Sequence, residues 1–379
     1  IGTVPRASGS RPRGLNFAFG FGMATPEASL TLAIDMMGGD EGPKEVLEGL
    51  ALAVDEVPRS ANFLLVGRED EILPHIERNP LLASANLKVL HASEVIAMSE
   101  KPVAGIKKKK DSSMARALEV VKDDQADALL SCGNTGCLMA GGAIRLRTLE
   151  GVERPALCTI WPGRERYFTL LDAGANPHAK PIHVLQNAIL GSNYARVALG
   201  LVRPKVGLLT IGTEEGKGNE LIHESHEMLK DIHGSVLNYA GLIEGFQIFE
   251  NVVDVVVCDG FVGNIVLKAC ESLSKLIGSF LDEELRRNAL RKTGALLSKG
   301  AFRSLKQRIN PEQFGGAPLL GLRKHVIKAH GSSNRNHFCG AIKIALDLMQ
   351  CDMLGQVIAD ITAANEILRP EMSPELQDA

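Results

Sequence analysis

The sequence is marked first by what is scarce. Aromatic residues make up 4% of 379, with one Trp and three Tyr. An interior of Val, Ile, Leu, Ala and Gly with so few rings fits a parallel-sheet α/β body better than an antiparallel β fold. No run of about 18 apolar residues occurs, so no segment reads as a membrane-spanning helix. Neither sign of charge dominates: 42 basic residues face 45 acidic ones, for a net −3. The molecule as a whole is no magnet for nucleic acid. The seven cysteines include no CxxC pair. Their odd number and apolar neighbours read as reduced thiols in a cytoplasmic protein.

Familiar chemical motifs are missing too. GxxxxGK[ST] and GxGxxG are absent, which removes the usual nucleotide cradles. HExxH and GxSxG are absent, which removes the common zinc-protease and serine-hydrolase frames. His223 and His226 are three apart without a third ligand and read as a solvated helix face. Cys132 and Cys137 flank a loop and read as packing residues. No metal, cofactor or fixed-period repeat is expected.

What is present is a β-loop-α alternation that predicts a doubly wound parallel sheet. Strands are expected at 30–35, 62–67, 87–91, 126–131, 156–161, 167–172, 205–210, 252–258 and 326–330. A helix is expected over 181–199, loosened at Gly191-Ser-Asn193, and a glycine-proline loop over 315–321. Six strands end in polar, glycine-bearing loops, at 35–42, 131–136, 172–177, 211–219, 259–264 and 330–334. Open α/β sheets bind ligands at that edge, so the six loops are expected to line one cleft. Residues 30–368 read as a single catalytic body with a helical hairpin at about 266–310. Residues 1–29 read as a flexible extension or cloning remnant, and 369–379 as a tail.

The loop Ile211-Gly-Thr-Glu-Glu-Gly-Lys-Gly-Asn-Glu-Leu221 combines glycines with a lysine between a strand and a helix. Free N–H groups and the charge of Lys217 suit an anion such as phosphate. The plainer reading is a polar turn capped by Asn219 or Glu220. Asp35, Asp40, Asp172 and Asp259 would repel an anion, so most are expected to cap helices or tie down their loops. One of them, or the Glu214-Glu215 pair, is a candidate to orient Lys217.

Taken together, Asp35-Met-Met-Gly-Gly-Asp40, Ser131-Cys-Gly-Asn-Thr-Gly136, Gly191-Ser-Asn-Tyr-Ala-Arg196, the 211–221 loop, Asp259-Gly-Phe-Val-Gly-Asn264 and Val326-Ile-Lys-Ala-His-Gly-Ser-Ser-Asn334 resemble the bacterial phosphate acyltransferase family, PlsX. The likeness runs from about residue 31 to 345. It implies transfer of a fatty acyl group from acyl-[acyl carrier protein] to inorganic phosphate. The acyl phosphate would serve a glycerol-3-phosphate acyltransferase in phosphatidic acid and phospholipid synthesis. It also implies a three-layer αβα fold similar to isocitrate and isopropylmalate dehydrogenases. A homodimer, placed peripherally on the inner membrane surface, would complete the picture. Leu322-Arg-Lys-His325 and Arg335-Asn-His-Phe-Cys339 are bulkier or more polar than that family leads one to expect.

On this reading Lys217, Asn264, Lys328 and His330 are the candidate catalytic residues. Lys217 would hold phosphate. Asn264 or Asn134 would donate to the oxyanion at the thioester carbon, and Lys328 and His330 would add charge or protonate the leaving thiolate. Asp35, Gly38, Gly39, Asn134, Thr135, Asn176, Asn193, Glu215, Asn219, Asp259, Ser332 and Ser333 are candidate substrate contacts. Residues 285–309 hold eight Lys or Arg and no acid. Arg286, Arg287, Leu290, Arg291, Lys292, Leu296 and Leu297 are therefore candidates for contact with anionic lipid or with the acidic carrier protein. A solvated hairpin whose apolar side joins two copies is the plain alternative, and Lys107-Lys-Lys-Lys110 reads first as a solvated face, with carrier docking second. Rivals are an acyl-coenzyme A phosphotransacetylase, a decarboxylating dehydrogenase, and a non-catalytic scaffold that binds carrier protein at a membrane.

Overall fold

A computed structural model describes residues 30–368 except Arg59, Ser84, Glu215, Gly216 and 310–314, with only the main chain of 306–309. The expectations for 1–29, 369–379 and Glu215 lie outside the described residues.

Eleven strands form one sheet. They are β1 Thr31–Asp35, β2 Asn62–Gly67, β3 Asn86–His91, β4 Ala128–Ser131, β5 Ala156–Pro162, β6 Tyr167–Leu171, β7 Lys205–Thr210, β8 Asn238–Glu244, β9 Val255–Val257, β10 Ala317–Leu320 and β11 His325–Lys328. The helices are α1 Pro43–Val54, α2 Glu69–Glu77, α3 Pro80–Ala83, α4 Pro102–Lys108, α5 Ser113–Lys122, α6 Thr135–Gly141, α7 Pro181–Leu199, α8 Glu220–Asp231, α9 Gly260–Arg286, α10 Ala289–Leu297, α11 Lys299–Ile309, α12 Arg335–Met349 and α13 Met353–Leu368.

The order is β3-β2-β1-β4-β11-β10-β5-β6-β9-β7-β8. The first five strands are mutually parallel, as are the last four. Between them β10 pairs antiparallel with both β11 and β5, and β5 pairs antiparallel with β6. Three reversals leave the second parallel set running opposite to the first.

Strand residues alternate between the faces, and both faces are covered by helices. Leu32, Ile34, Leu130 and Ile327 pack with Val46 and Leu50 of α1 and Phe338 and Ile342 of α12. On the other face Ala33, Val66, Leu129 and Val326 pack with Met114 and Leu118 of α5 and Leu138 of α6. In the second half, Cys158, Leu171, Val206 and Val257 meet α7, α8 and α13, while Phe168, Leu170 and Val256 meet Val266 and Leu267 of α9. Each fully buried Leu, Ile or Val contributes roughly 1.5–3 kcal/mol. The result is the expected three-layer αβα body.

Three local expectations change. Helix α7 is unbroken through Gly191. A Cβ there would lie 2.7 Å from Val255 Cγ1, so glycine lets the helix sit close on β9 rather than loosening it. Residues 317–320 form β10 although Pro318 lies within them, and β8 went unseen in the sequence. Helix α9 begins at Gly260, and its 27 residues carry the chain out of the body into α10 and α11.

Candidate active site

The reversal in the sheet divides the six loops. Those after β1, β4 and β11 share one carboxyl edge, and those after β6, β9 and β7 share the other. The first group is knit by close backbone approaches. A Cβ on Gly38 would lie 2.3 Å from Gly133 N, so only glycine permits the contact between the two loops. Asp40 N donates to Gly331 O at 2.9 Å, and Gly39 lies against Cys132 and Gly331.

Under these loops sits a buried ionisable pair. Asp35 is 1% exposed and Lys328 is 8% exposed. The Asp35 carboxylate accepts from Ser131 Oγ at 2.7 Å and from Met37 N at 3.3 Å, and the Ser113 hydroxyl adds a further bond. Burial pushes the Asp35 carboxyl upward, and these donors with Lys328 oppose the shift. Burial likewise lowers the Lys328 ammonium to about 8, against the pull of Cys132, Asp35 and Asp40. Lys328 Nζ donates to Ala329 O. The N–H groups of Gly38 and Gly39 have no acceptor among the described residues. Lysine charge with free N–H groups nearby suits an anion. Ser113 was not foreseen from the sequence, although a Ser-Ser pair before an apolar helical run was a legible helix start.

The neighbours of this pair have other duties. Asn134 caps α6 by accepting from Cys137 N at 3.0 Å. Its amide donates to the carbonyls of Ala97, Met98 and Glu100 at 3.3, 2.8 and 3.0 Å. It is therefore committed to holding segment 97–100 rather than free for an oxyanion. Thr135 opens α6 beside it. His330 is exposed and its Nδ1 lies 2.8 Å from Ser332 Oγ, while Ser333 is buried. Cys132 is buried and its thiol is pushed up to about 12, which suits packing and not attack.

At the second edge the loops 172–177 and 259–264 are interlocked. Asp172 accepts four backbone N–H groups, from Leu157, Gly174, Ala175 and Asn176, at 2.6–3.1 Å. Gly260 N donates to Asn176 O at 2.9 Å. Asn264 is exposed at the start of the second turn of α9, and its Cβ lies 3.2 Å from where a Cβ on Gly174 would stand. Asp259 caps α9, accepting from Phe261 N and Val262 N at 2.9 and 3.0 Å. The expected structural duty of Asp172 and Asp259 is thus what the geometry gives. Ala175 is partly buried against the apolar cluster that holds α5, α6 and Leu319 of β10.

The other predicted residues make different contacts. Lys217 is exposed and makes no ion pair among the described residues. Asn219 caps α8 by accepting from Ile222 N at 3.0 Å, the plainer reading of that loop. Asn193 is a correction. It is buried within α7, bonded to Ile189 O and to Asp360 of α13, and it accepts from Arg196. Its amide fastens two helices and belongs to no strand-end loop.

In the hairpin, Arg286 pairs with Asp282 at 2.9 Å, while Arg287 and Arg291 both reach Glu284. The acids just outside the basic segment, one or two turns away, neutralise these arginines locally. Lys292 stays exposed. Leu290, Leu296 and Leu297 are 83%, 69% and 84% exposed. Leu273, Leu276, Ile277 and Phe280 extend the exposed apolar surface along α9. Among the described residues no helix is long and apolar enough to cross a membrane, and no His, Cys, Asp and Glu cluster forms a metal site.

The family model described as Fatty acid synthesis protein matches residues 30–355. The chain belongs to this family. Its relatives include a phosphate acyltransferase of Thermoanaerobacterium thermosaccharolyticum, 41% identical over 332 residues that cover 88% of this chain and 97% of the relative. A phosphate acyltransferase of Caldanaerobacter subterraneus is 44% identical with the same coverage. Among solved structures, a phosphotransacetylase from Streptococcus pyogenes covers 85% of this chain and 94% of its own, with TM-score 0.56 at 15% identity. A branched-chain phosphotransacylase from Enterococcus faecalis gives 0.53 at 16% identity, covering 84% and 99%. At those identities the structures speak to fold alone, and the fold they share with this chain agrees with the αβα body described above.

Proposed function

We propose that this chain transfers a fatty acyl group from acyl-[acyl carrier protein] to inorganic phosphate. The product is an acyl phosphate for phosphatidic acid synthesis. The observation that carries this reading is kinship with phosphate acyltransferases at 41% and 44% identity over 332 residues.

The chemistry needs no protein nucleophile. A phosphate oxygen attacks the thioester carbonyl carbon, and the carbonyl oxygen takes the negative charge. The C–S bond then breaks, and the carrier thiolate leaves and takes a proton. The protein must hold phosphate, shed part of its hydration, and meet the oxyanion. Lys328 and the N–H groups of Gly38 and Gly39 hold phosphate in this reading, with the Asp35 charge favouring the ammonium form. Asn264 meets the oxyanion from the other edge. Lys217 closes on the phosphate from its exposed loop, and His330 with Ser332 supplies the proton.

The hairpin supplies association. The apolar stretch of α9 from Leu273 to Phe280 suits a second copy of the chain. The exposed leucines of α10, with Lys292, suit an anionic membrane surface.

The test is direct. Purified full-length protein is incubated with acyl-[acyl carrier protein] and labelled phosphate, and labelled acyl phosphate is sought. Its absence from folded protein would defeat the acyltransferase reading. Equal or better turnover with acyl-coenzyme A would move the donor to that compound.

A further inference from the structure

Segment 97–110 forms one rim of the first loop group. Asn134 holds its carbonyls, Met98 Cε lies 3.2 Å from where a Cβ on Gly331 would stand, and Pro102 packs on Gly136. Helix α4 therefore lies directly beside the loops assigned to phosphate. On it and flanking it stand Lys101, Lys107, Lys108 and Lys110, all exposed, their side chains without a hydrogen bond or ion pair among the described residues. Lys109 alone turns inward, donating to Glu100 Oε1 and Val95 O, both at 2.6 Å.

The acids of this segment are already engaged. Lys109 holds the Glu100 carboxyl below its ordinary range, with the Ala97 N–H assisting. Glu94 accepts from Asp111 N at 3.1 Å. Asp111 accepts from Ser93 Oγ at 2.6 Å and faces Arg116 at 3.8 Å. The outward charge is thus positive. Among the lysines stand Met98 and Val103, 54% and 48% exposed. In the hairpin, by contrast, three arginines are spent on Asp282 and Glu284.

We infer that the α4 rim is the docking surface for the acidic acyl carrier protein. The inference rests on the acyltransferase reading above. The lysines steer and orient the acidic partner, and Met98 with Val103 meets its apolar contact. Docking here sets the thioester arm at the mouth of the Lys328 site. A partner seated on the hairpin tip would instead compete with the membrane for the same leucines.

The experiment uses full-length protein and the double variant Lys107→Glu/Lys108→Glu. Wild-type acyl phosphate formation is measured first, since its absence defeats the acyltransferase reading and not the docking surface alone. The variant is expected to raise KM for acyl carrier protein about tenfold or more, with kcat and the phosphate KM within about twofold. Raising salt from about 0.05 to about 0.3 M should raise the wild-type KM steeply and the variant's little. The hairpin variant Lys299→Glu/Arg303→Glu should leave KM for the carrier unchanged. An unchanged KM in the α4 variant overturns the inference. Loss of binding to anionic vesicles with KM intact also overturns it and gives the surface to lipid. If charge reversal prevents folding, Lys107→Gln/Lys108→Gln is read by the same criteria.

Discussion

Replacement of Lys328 by methionine separates stability from function in a way few other changes here would. Burial brings the Lys328 ammonium from 10.5 to about 8. That displacement corresponds to about 3 kcal/mol of charge-burial cost at neutral pH. The sign follows from linkage. Below about pH 8 the lysine is charged in both folded and unfolded chains, and the full cost is present. Between about 8 and 10.5 the folded chain gives up a proton that the unfolded chain keeps, so the cost is relieved and stability from this group rises with pH. Lys328→Met removes the cost but leaves Asp35 without its countercharge, which returns part of the gain. The variant should therefore melt at or slightly above the wild-type temperature in a pH 7 thermal scan. Activity should move the other way. Loss of a charged hydrogen bond to phosphate costs roughly 1.5–3 kcal/mol, or about ten- to hundredfold in phosphate KM. In wild type the phosphate KM should climb as pH passes about 8, and Lys328→Arg should flatten that climb if it binds phosphate. A Lys328→Met enzyme with normal phosphate KM, or one that loses many degrees of stability, would refute the assignment.

Three further outcomes follow from single contacts. Gly38→Ala places a Cβ 2.3 Å from Gly133 N and 2.6 Å from its Cα, both backbone atoms that cannot swing aside. Overpacking of about 1–3 kcal/mol should lower the melting temperature and raise the phosphate KM together. Asp259→Ala removes the cap from a 27-residue helix and should cost about 1 kcal/mol. Hydrogen exchange should quicken at 260–264 while the β1–β4 strands keep their protection. Leu290→Asp with Leu297→Asp strips two exposed leucines from the hairpin and should abolish vesicle co-sedimentation without altering turnover of soluble acyl-[acyl carrier protein].

Much of the fold was legible because buried parallel strands are continuous apolar runs closed by glycine loops. Asn62–Gly67 and Lys205–Thr210 were placed to the residue. Strand β8 was hidden by Gly241 at its centre, where φ is 99°. Strand β10 was hidden by Pro318, tolerable because the short strand is only partly laddered to its neighbours. The reversal between the two parallel sets was illegible for a different reason. It depends on which strands pair across β5 and β10, a long-range fact with no local signature. That is why six loops were expected at one edge and appear at two. Asn193 misled because Gly-Ser-Asn reads as a break in a helix, whereas Gly191 serves close packing on β9. Lys328 did leave a trace: it is the only charged residue in Val326-Ile-Lys-Ala, an otherwise apolar run.

The acidic residues posed a difficulty for any phosphate site, and the geometry disposes of most of it. Asp172 is occupied by four backbone N–H groups and Asp259 by two. Asp35 is occupied by Ser131, Ser113 and Met37 and stands opposite Lys328. A carboxylate ringed by donors projects little field, because each donor's positive end faces its charge. Asp40 and Glu41 remain exposed at the loop surface, with the Asp40 main chain bound to Gly331. What is left unspent at the first edge is therefore a lysine and two glycine N–H groups. The carboxylates build the loops, and Lys328 stands among them as a positive charge. A dianion can enter such a site without meeting an uncompensated acid, provided it approaches from the Gly38 and Gly39 side and not past Asp40.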